Sequence, residues 1–555
     1  MKSWRAPKKD FIWIGLESES HWQSVMRQNL FLEGDNLDGL KLIQETYLGK
    51  VKMIYIDPPY NTGNDFIYDD DFTEGPQAFL ARSNQQDETG NRLVANPNSN
   101  GRFHSDWLSM MYPRLRLARN LLSDDGAILI SIDDGEVQNL RKICDEIFGS
   151  DKFIACFVWK SRQNIDNRTV TGASVDHEYI LCYGKSIRGS ERNKAQYSNP
   201  DGDPRGDWAS GNMVGIATAD RRPNLHYDLI NPETGINYGC PPMGWRYDRN
   251  TMALLIQEDR ILWPAAPTGR PRRKAFLSEL ESDFTGFSTI VGEGIFTRDG
   301  TSDMVRLFGE RVFNFPKPVA LMRILVEQAT TNNDIVLDFF AGSGATAHAV
   351  MAQNAADGGT RQFILVQIPE VLDPENSEQK TAADFCDKLG KPRTIAELTK
   401  ERLRRAGMET RNESSTGRPI DVGFRVFKID TSNVQDVYYR PDEVKQGDLL
   451  AAVDNIKPDR TGEDLLFQVL VDWGVDLTLP IRSDTVQGKT VFFVDGNALV
   501  ACFDTGLTED LVKELASHEP LRVVFRDNGF VSDAVKINVE QIFRQLSPTT
   551  DVKSI

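Results

Sequence analysis

The chain alternates between short apolar runs and segments in which apolar residues recur every three or four positions. The runs have the length and β-branched content of buried parallel strands, whereas the second spacing is that of helices with one buried face. This alternation predicts a doubly wound, Rossmann-like α/β sheet. The predicted strands are 29–33, 51–56, 127–132, 153–160, 179–183, 334–338 and 363–368, and the predicted helices are 37–47, 107–122, 136–148, 318–330 and 346–355.

The alternation is interrupted between about residues 161 and 310, where Arg, Gly, Pro, Asn and Trp are frequent and no long helix is predicted. An insertion therefore divides the predicted catalytic sheet into two segments. The last part of the chain reads as a separate α+β domain, with strands at 423–429, 490–494 and 521–525 and helices at 508–516 and 539–546. The predicted domains are 1–30 (N-terminal segment), 31–160 (first catalytic half), 161–310 (insertion), 311–372 (second half), 373–420 (polar helical connection) and 421–555 (C-terminal domain).

Composition narrows the class of protein. A chain of 555 residues is too long for one core, and 40% hydrophobic and 26% charged residues are ordinary for a globular protein. The net charge of −17 argues against nucleic-acid binding over the whole surface but is compatible with a local basic groove. We expect a cytoplasmic location, because no signal peptide or membrane-spanning run is visible. Scattered cysteines and histidines, without a C-x-x-C pair, predict no metal site.

One predicted strand ends in the sequence Asp57-Pro58-Pro59-Tyr60. Ligands of open α/β sheets bind beyond the carboxyl ends of strands, and the two prolines end the strand there. A carboxylate and a proline carbonyl only accept hydrogen bonds, so together they can hold an exocyclic amine and stabilise positive charge on its nitrogen. Tyr60 can stack on a base flipped out of its duplex. The alternative is a plain strand end with a capping Asp and a turn.

A second polar strand end follows the insertion. Asp338 precedes a glycine turn made of Phe340, Ala341, Gly342, Ser343 and Gly344. Strand, glycine turn and helix is the arrangement that cradles nucleotide-like cofactors. The turn also fits the dinucleotide pattern of a dehydrogenase, with Glu370 as its ribose ligand. That alternative leaves the first motif and the insertion unexplained, whereas S-adenosylmethionine binding accounts for all three.

Two other chemistries are disfavoured. Methylation of cytosine C5 uses a cysteine nucleophile, generally in a Pro-Cys pair, and no such pair occurs here. The second is ATP hydrolysis by a motor protein. Two segments resemble the end of a P-loop, but Tyr179 and Ser483 stand where its first glycine is required. Methylation of an amine is a direct displacement and needs no covalent intermediate with the enzyme.

Two regions are candidates for contact with nucleic acid. In the insertion, a basic patch follows Trp263 and consists of Arg270, Arg272, Arg273 and Lys274. Basic residues near aromatic ones suit phosphate contact and base reading, and the alternative is a solvated loop. The polar loop 61–102 comes directly after Tyr60, and its length predicts a flap over the substrate. In that flap, Phe66, Tyr68 and Phe72 either contact DNA or pack the loop.

Together these motifs resemble the amino-methylating DNA methyltransferases of the β class, in which D-P-P-Y precedes F-x-G-x-G. The resemblance is closer still to the modification (Mod) subunits of type III restriction-modification systems. It covers nearly the whole chain and is carried by residues 33–40, 53–62, 315–318, 363–370 and 526–540.

The resemblance implies an adenine-N6 DNA methyltransferase in which Asp57, Pro58 and Tyr60 act on a flipped adenine. It implies that S-adenosylmethionine is bound by Asp338, Phe340, Gly342 and Gly344, with Lys317 and Asp35 nearby. Segment 161–310 would recognise the target in double-stranded DNA, and the C-terminal part would support a homodimer. An ATP-dependent restriction (Res) subunit is the expected partner.

Two residues of this set carry an alternative. Gln367 stands where many relatives have an acid for the ribose hydroxyls, which its amide can still bind. Taken alone, Asp35 is better explained as the cap of the helix that follows it.

Three alternatives stay open, namely a cytosine-N4 methyltransferase, a non-catalytic DNA-binding subunit and the dehydrogenase. Asp rather than Ser before Pro-Pro-Tyr favours adenine. Methylation of either base requires segments 57–60 and 338–344 to lie side by side on adjacent strand ends.

Overall fold

The computed structural model describes residues 2–5, 28–62, 66–68, 93–95, 103–167, 169, 172–413, 419–431, 433 and 456–555. Most of the predicted flap 61–102, including Phe72, lies outside the described residues, and Phe66 and Tyr68 are described as backbone only.

The secondary structure of the described residues is as follows. The helices are α1 (Asn36–Leu42), α2 (Gln44–Tyr47), α3 (Phe103–Leu121), α4 (Val137–Phe148), α5 (Arg249–Gln257), α6 (Thr297–Phe308), α7 (Val319–Ala329), α8 (Ala345–Asp357), α9 (Lys380–Leu389), α10 (Ile395–Glu413), α11 (Gly462–Asp472), α12 (Glu509–Ala516) and α13 (Asp533–Leu546). The strands are β1 (Lys2–Arg5), β2 (Asn29–Glu33), β3 (Val51–Ile56), β4 (Phe66–Tyr68), β5 (Leu93–Ala95), β6 (Leu122–Ile132), β7 (Phe153–Trp159), β8 (Glu178–Gly184), β9 (Ser190–Glu191), β10 (Trp208–Gly211), β11 (Ile261–Leu262), β12 (Arg272–Phe276), β13 (Phe284–Thr285), β14 (Ile290–Val291), β15 (Ile335–Asp338), β16 (Gln362–Gln367), β17 (Phe424–Thr431), β18 (Ile481–Val486), β19 (Lys489–Val494), β20 (Leu499–Cys502), β21 (Arg522–Phe525) and β22 (Asp551–Ser554). Short 3-10 helices cover Ser150–Lys152, Lys194–Gln196, Pro223–Leu225 and Leu277–Glu279.

A ten-stranded sheet forms the centre of the larger compact unit, residues 1–188 and 288–555, in the order β1-β17-β2-β16-β15-β3-β6-β8-β7-β14. The strands from β17 to β6 are parallel, and β8 is antiparallel to both of its neighbours. The chain leaves β3 toward β6 on one side and leaves β15 toward β16 on the other. The two motif-bearing strands therefore meet where the strand order reverses, which is where open α/β sheets bind ligands.

The central strands are continuous apolar runs because both of their faces are buried. Met53, Ile54 and Ile56 of β3 have no exposed surface, and neither do Val336 and Leu337 of β15. Helices pack on the sheet through apolar stripes, among them Trp107, Met111 and Leu115 of α3. The predicted doubly wound α/β fold is thereby confirmed.

Three boundaries differ from the sequence prediction. The strand predicted at 423–429 belongs to the central sheet as β17, parallel to β2, rather than to the C-terminal domain. The helix predicted over 37–47 is divided at Ile43 into α1 and α2. Strand β6 begins at Leu122, earlier than its apolar run, because its first residues pair with the start of β3.

The inserted compact unit spans residues 189–287 and is shorter than the predicted insertion 161–310. The difference arises because β8 pairs with β6 and β7 and β14 pairs with β7, so the segments on both sides belong to the central sheet. The unit has a three-stranded antiparallel sheet, β10-β12-β11. Its small core includes Met213, Trp245, Met252 and Ile261.

The C-terminal part carries a five-stranded sheet, β18-β19-β20-β21-β22, with α12 and α13 packed in a second core. Thr508 caps α12 as predicted, accepting from the N–H of Leu511. Helix α11 contributes to the core of the central sheet, and the Tyr47 hydroxyl donates to Asp476 at 3.1 Å. Within the described ranges, no helix has the length and apolar character needed to cross a lipid bilayer.

Candidate active site

The two motif-bearing strands, β3 and β15, are direct parallel neighbours, with Leu337 opposite Ile54. Asp57 follows β3 and Asp338 ends β15, so both acids lie at the same edge of the sheet. The side-by-side placement that the enzyme hypothesis required is confirmed. A cavity of about 450 Å³ opens at this edge, and it is lined by both strand ends.

Most of the residues predicted to bind a cofactor or to react line this first cavity. They are Asp57, Pro58, Pro59, Lys317, Asp338, Phe340, Ala341, Gly342, Ser343 and Gln367. Gly344 is not among the lining residues, because its place is the start of α8, where its N–H donates to the Ala341 carbonyl at 2.7 Å.

Asp35 is also not among the lining residues, and its surroundings explain why. The side chain caps α1 by accepting from the N–H of Asp38 at 3.1 Å. Its other oxygen lies 3.8 Å from the buried guanidinium of Arg114. These contacts match the capping alternative rather than a direct cofactor contact.

The glycine turn is held from two directions. Gly342 has φ +51° and Gly344 has φ +80°, a conformation that strains any residue with a Cβ. The N–H of Gly342 donates to Gln367 Oε1 at 2.6 Å, and its carbonyl accepts from Thr399 Oγ1 at 2.6 Å. Arg402, fully buried, donates to the hydroxyl of Ser343. Thr399 and Arg402 lie on α10, so the turn is positioned by a helix far along the chain.

The first cavity therefore extends beyond the predicted second half 311–372. Its walls include residues of α9, α10 and the segments before them, namely Glu378, Gln379, Ala382, Ile395 and Leu398. The segment 373–420, predicted as a connection, forms part of the cavity. The sequence predicted a helix in this polar segment, but nothing in the segment indicates which site that helix lines.

Asp338 is the buried acid of the pair. It is 2% exposed, and its oxygens accept from the Phe340 N–H at 3.0 Å and the Thr346 hydroxyl at 2.5 Å. Burial raises the pKa of Asp338 to about 7, and the nearby charge of Asp57 adds to the rise. Asp338 thus braces the glycine turn against the first turn of α8.

Gln367, predicted to bind the ribose hydroxyls of S-adenosylmethionine, and Glu370 both line the first cavity but differ in their contacts. Both ends of the Gln367 amide are engaged within the protein, by the Gly342 N–H and by the Ile368 carbonyl at 3.1 Å. Glu370 lines the same cavity, and burial raises the pKa of its carboxyl. An acid at a cavity wall suits the two hydroxyls of a ribose, so Glu370 is the better candidate for that contact.

Asp57 lies at the centre of a polar cluster that links three distant segments. Asp57 Oδ1 accepts from the Tyr60 hydroxyl at 2.9 Å and lies 2.9 Å from Lys317 Nζ. Lys317 also donates to the Tyr60 hydroxyl at 2.8 Å and lies 3.3 Å from Glu178 Oε2. Glu178, at the start of β8, was not identified from the sequence, because its partners are 118 and 139 residues away along the chain.

The two carboxylates of this cluster act to raise the pKa of both Lys317 and Tyr60. Burial alone would lower the pKa of Lys317, but the carboxylates of Asp57 and Glu178 outweigh it, and the pKa lies above its usual value. Burial raises the pKa of Tyr60 well above 10, with help from the same two carboxylates. Lys317 is therefore an ammonium and Tyr60 a neutral phenol at physiological pH.

The backbone after β3 is fixed by groups on α3 and by a buried acid. The indole N–H of Trp107 donates to the Pro59 carbonyl at 2.7 Å. Asn61, at φ +60°, donates to Glu136, which is fully buried, at 2.7 Å. The Pro59 carbonyl is therefore held by a group within the protein.

A second cavity, of about 980 Å³, is lined in part by the same residues. It shares Asp57, Pro58, Pro59, Phe315 and Lys317 with the first. Its further walls include Tyr60, Thr62, Trp159, Ser161, Arg162, Asn164 and Glu178. Two ligands bound in the two cavities would thus meet at Asp57.

The residues of the basic patch in the inserted unit differ in their burial. Arg270 and Arg272 are exposed, and Arg273 is half-buried beside the ring of Tyr247. Lys274 is 4% exposed, and its ammonium lies within 4 Å of Asp201, Asp203 and Asp259. Three carboxylates already surround this buried cation, an arrangement that does not suit the predicted DNA contact by Lys274.

No group of three or more His, Cys, Asp or Glu side chains arranged to hold a metal ion occurs among the residues that the structure describes.

Comparison with known proteins identifies relatives over most of the chain. The family model described as DNA methylase matches residues 51–370, which span both motifs and the inserted unit. The Type III restriction-modification enzyme StyLTI Mod subunit of Salmonella typhimurium strain LT2 is 32% identical over 88% of this chain and 78% of its own length. The EcoPI Mod subunit of Escherichia phage P1 is 30% identical over 91% and 81%. The Type II methyltransferase M.KpnI of Klebsiella pneumoniae is 32% identical over 60% of this chain and 79% of its own length.

Proposed function

This chain belongs to the DNA methylase family, among the type III Mod subunits, and from that premise we propose that it methylates adenine N6 in double-stranded DNA. The methyl donor is S-adenosylmethionine. The observation that carries the proposal is the meeting of two cavities at Asp57, between a strand end suited to a planar amine and a strand end suited to a nucleotide-like cofactor.

The first cavity fits S-adenosylmethionine in size and chemistry. A volume of about 450 Å³ is in the range of small-molecule sites, and its walls combine a glycine turn with apolar side chains of α9 and α10. Glu370 would hold the ribose, and the turn at Gly342 and Ser343 would hold the amino-acid end. When bound, S-adenosylmethionine supplies an electrophilic methyl group on a sulfonium sulfur.

The second cavity would receive an adenine flipped out of the duplex. Tyr60 stacks on its ring, and Asp57 and the Pro58 carbonyl each accept one N6 hydrogen. Both acceptors draw the nitrogen out of conjugation, which restores its lone pair for attack on the methyl carbon. As the new C–N bond forms, the electron pair of the broken S–C bond stays on sulfur. The positive charge on N6 is stabilised by the Asp57 carboxylate, which then accepts the proton that N6 loses.

The decisive experiment uses purified protein, labelled S-adenosylmethionine and duplex DNA, followed by digestion to nucleosides. We expect label in N6-methyladenine. Label in N4-methylcytosine would show that the target base is cytosine instead. DNA binding without any labelled nucleoside would favour a non-catalytic subunit.

Target recognition is proposed for the inserted unit, residues 189–287, with Arg270, Arg272 and Arg273 holding the phosphate backbone beside the target sequence. These cations suit the phosphate backbone, which dominates affinity. Arg270→Ala is expected to weaken binding of all duplexes by a similar factor and to lower the salt slope by about 1. Lys274→Ala is the matched control, since its cation is enclosed by carboxylates; it is expected to reduce stability and leave the salt slope unchanged.

The partners follow the same premise. The relatives are Mod subunits of type III systems, so we propose that an ATP-dependent restriction subunit binds this chain and that the chain forms a homodimer. Sedimentation of the purified chain, alone and with such a subunit, tests both assignments.

A further inference from the structure

The Tyr60 hydroxyl has one proton and two carboxylate oxygens within reach. Asp57 Oδ1 is 2.9 Å away and Glu178 Oε2 is 3.0 Å away. A hydroxyl donates one hydrogen bond at a time, so the proton points either to Asp57 or to Glu178. Because the pKa of Tyr60 lies well above 10, that proton stays on the phenol, and only its direction changes.

The Lys317 ammonium is shared in the same way. It lies 2.9 Å from Asp57 and 3.3 Å from Glu178, while a third N–H donates to Tyr60. In this arrangement Asp57 Oδ1 has two donors. An incoming amine that approaches Asp57 Oδ1 must compete with both of them for that oxygen.

We propose that Glu178 is a positioning residue for methyl transfer, which frees the Asp57 carboxylate for the target amine by taking the hydrogen bonds of Tyr60 and Lys317. This inference rests on the proposed function and adds a step before chemistry. The exchange needs only a rotation of the Tyr60 hydroxyl and a small movement of the flexible Lys317 side chain.

The position of Glu178 suits this role. It begins β8, whose backbone is paired on both sides by β6 and β7, so its carboxylate is carried by a rigid strand. It also lines the second cavity, where the base would enter. Its carboxylate lies near the same ammonium as Asp57, which is the geometry that an exchange of partners requires.

The test compares Glu178→Ala and Glu178→Gln with the unchanged protein in single-turnover methylation at saturating DNA and S-adenosylmethionine. Gln still accepts from the Tyr60 hydroxyl but has no charge, whereas Ala accepts nothing. We expect the rate of methyl transfer to fall by about 10-fold for Gln and by about 100-fold for Ala. The dissociation constant for S-adenosylmethionine, measured by calorimetry, is expected to change by less than about 3-fold. Glu146→Gln is the matched control, because Glu146 is exposed and its partner is Tyr112, outside both cavities.

A double-mutant cycle separates this role from a purely structural one. If Glu178 acts by drawing the Tyr60 proton away from Asp57, removing that hydroxyl makes Glu178 less important. We therefore expect Glu178→Ala to cost at least about 5-fold less in a Tyr60→Phe background than in the unchanged protein. Equal losses in both backgrounds would overturn the proposal.

Two further outcomes would also overturn it. One is a Glu178→Ala rate within 2-fold of the unchanged protein. The other is a loss of S-adenosylmethionine binding in Glu178→Gln that matches the loss of rate. Failure of the unchanged protein to methylate any DNA would instead overturn the proposed function, so the two failures are distinguishable. Should Glu178→Ala not fold, Glu178→Gln, which keeps the side-chain shape, decides by its own rate in the two backgrounds.

Discussion

Asp57 and Asp338 end two neighbouring strands of one sheet, and their surroundings differ in almost every respect. The Asp57 side chain is 28% exposed and faces an ammonium and a phenol, whereas Asp338 is 2% exposed and faces a hydroxyl and a backbone N–H. Burial raises the pKa of Asp338 to about 7, while Asp57 has the positive charge of Lys317 beside it. The sheet edge supplies the location of both acids, and the groups packed around each of them decide what it does.

This contrast assigns the chemistry to one acid and the architecture to the other. Asp57 borders both cavities and is paired with the Lys317 ammonium. Asp338 is engaged with the turn that forms the wall of the cofactor cavity. Four predictions test this division between the two strand ends.

The largest effect is expected from Asp57→Ala. Loss of the carboxylate removes the group that stabilises charge on the amine, so turnover should fall by about 100- to 1,000-fold. Binding of S-adenosylmethionine, measured by calorimetry, should persist. Asp338→Ala should show the opposite pattern, with weaker binding as the primary defect. If both variants lose binding equally, the division between the two acids is wrong.

The next effect concerns pH. The pKa of Asp338 is raised on folding, so its contribution to stability is fully present below the unfolded value of about 4 and is lost as the pH rises through about 7. Asp338→Asn cannot ionise and removes this slope. The difference in thermal midpoint between the unchanged protein and the variant, measured without cofactor, should shrink from pH 5 to about pH 8. A difference that is constant with pH would show that Asp338 is already ionised in the folded protein.

A smaller effect is expected at the cofactor cavity wall. Glu370→Gln should raise the dissociation constant for S-adenosylmethionine by about 10-fold, because hydrogen bonds to a charged group are stronger than those to an amide. Glu378→Gln is the matched control, since Glu378 lines the same cavity but is exposed. Equal weakening by both variants would mean that general negative charge, and not a ribose contact, is responsible.

The last effects are changes in stability and are expected in the glycine turn. A Cβ at Gly344 would lie 3.0 Å from Thr399 Cγ2, whereas the nearest atom to a Cβ at Gly342 is the Phe340 carbonyl oxygen at 3.7 Å. Both have positive φ, so Gly342→Ala should cost about 1 kcal/mol and Gly344→Ala about 2 kcal/mol in urea denaturation. Gly342→Ala should weaken cofactor binding more, because Gly342 lines the cavity. The reverse order of stability losses would contradict the close packing of α10 against the turn.

Much of the fold was predictable because its signals are local. Strands β3, β6, β15 and β16 are apolar runs of strand length, and their helices have apolar stripes, so neighbouring residues determine each element. Strand β17 was misassigned because its run looks the same whether it joins the central sheet or the C-terminal one. The ion pairs of Lys274 could not be predicted for a related reason, since three of its neighbours in space are acids from elsewhere in the inserted unit.

The sequence by itself determined the chemistry that is available, because an acid before two prolines and a glycine turn after a strand are local features. Only the tertiary structure decided which groups share that chemistry. Lys317 reaches Tyr60 across 257 positions, and Thr399 reaches Gly342 across 57. Such partners are set by the order of strands in the sheet, which depends on how whole faces pack and not on the spacing of residues along one segment.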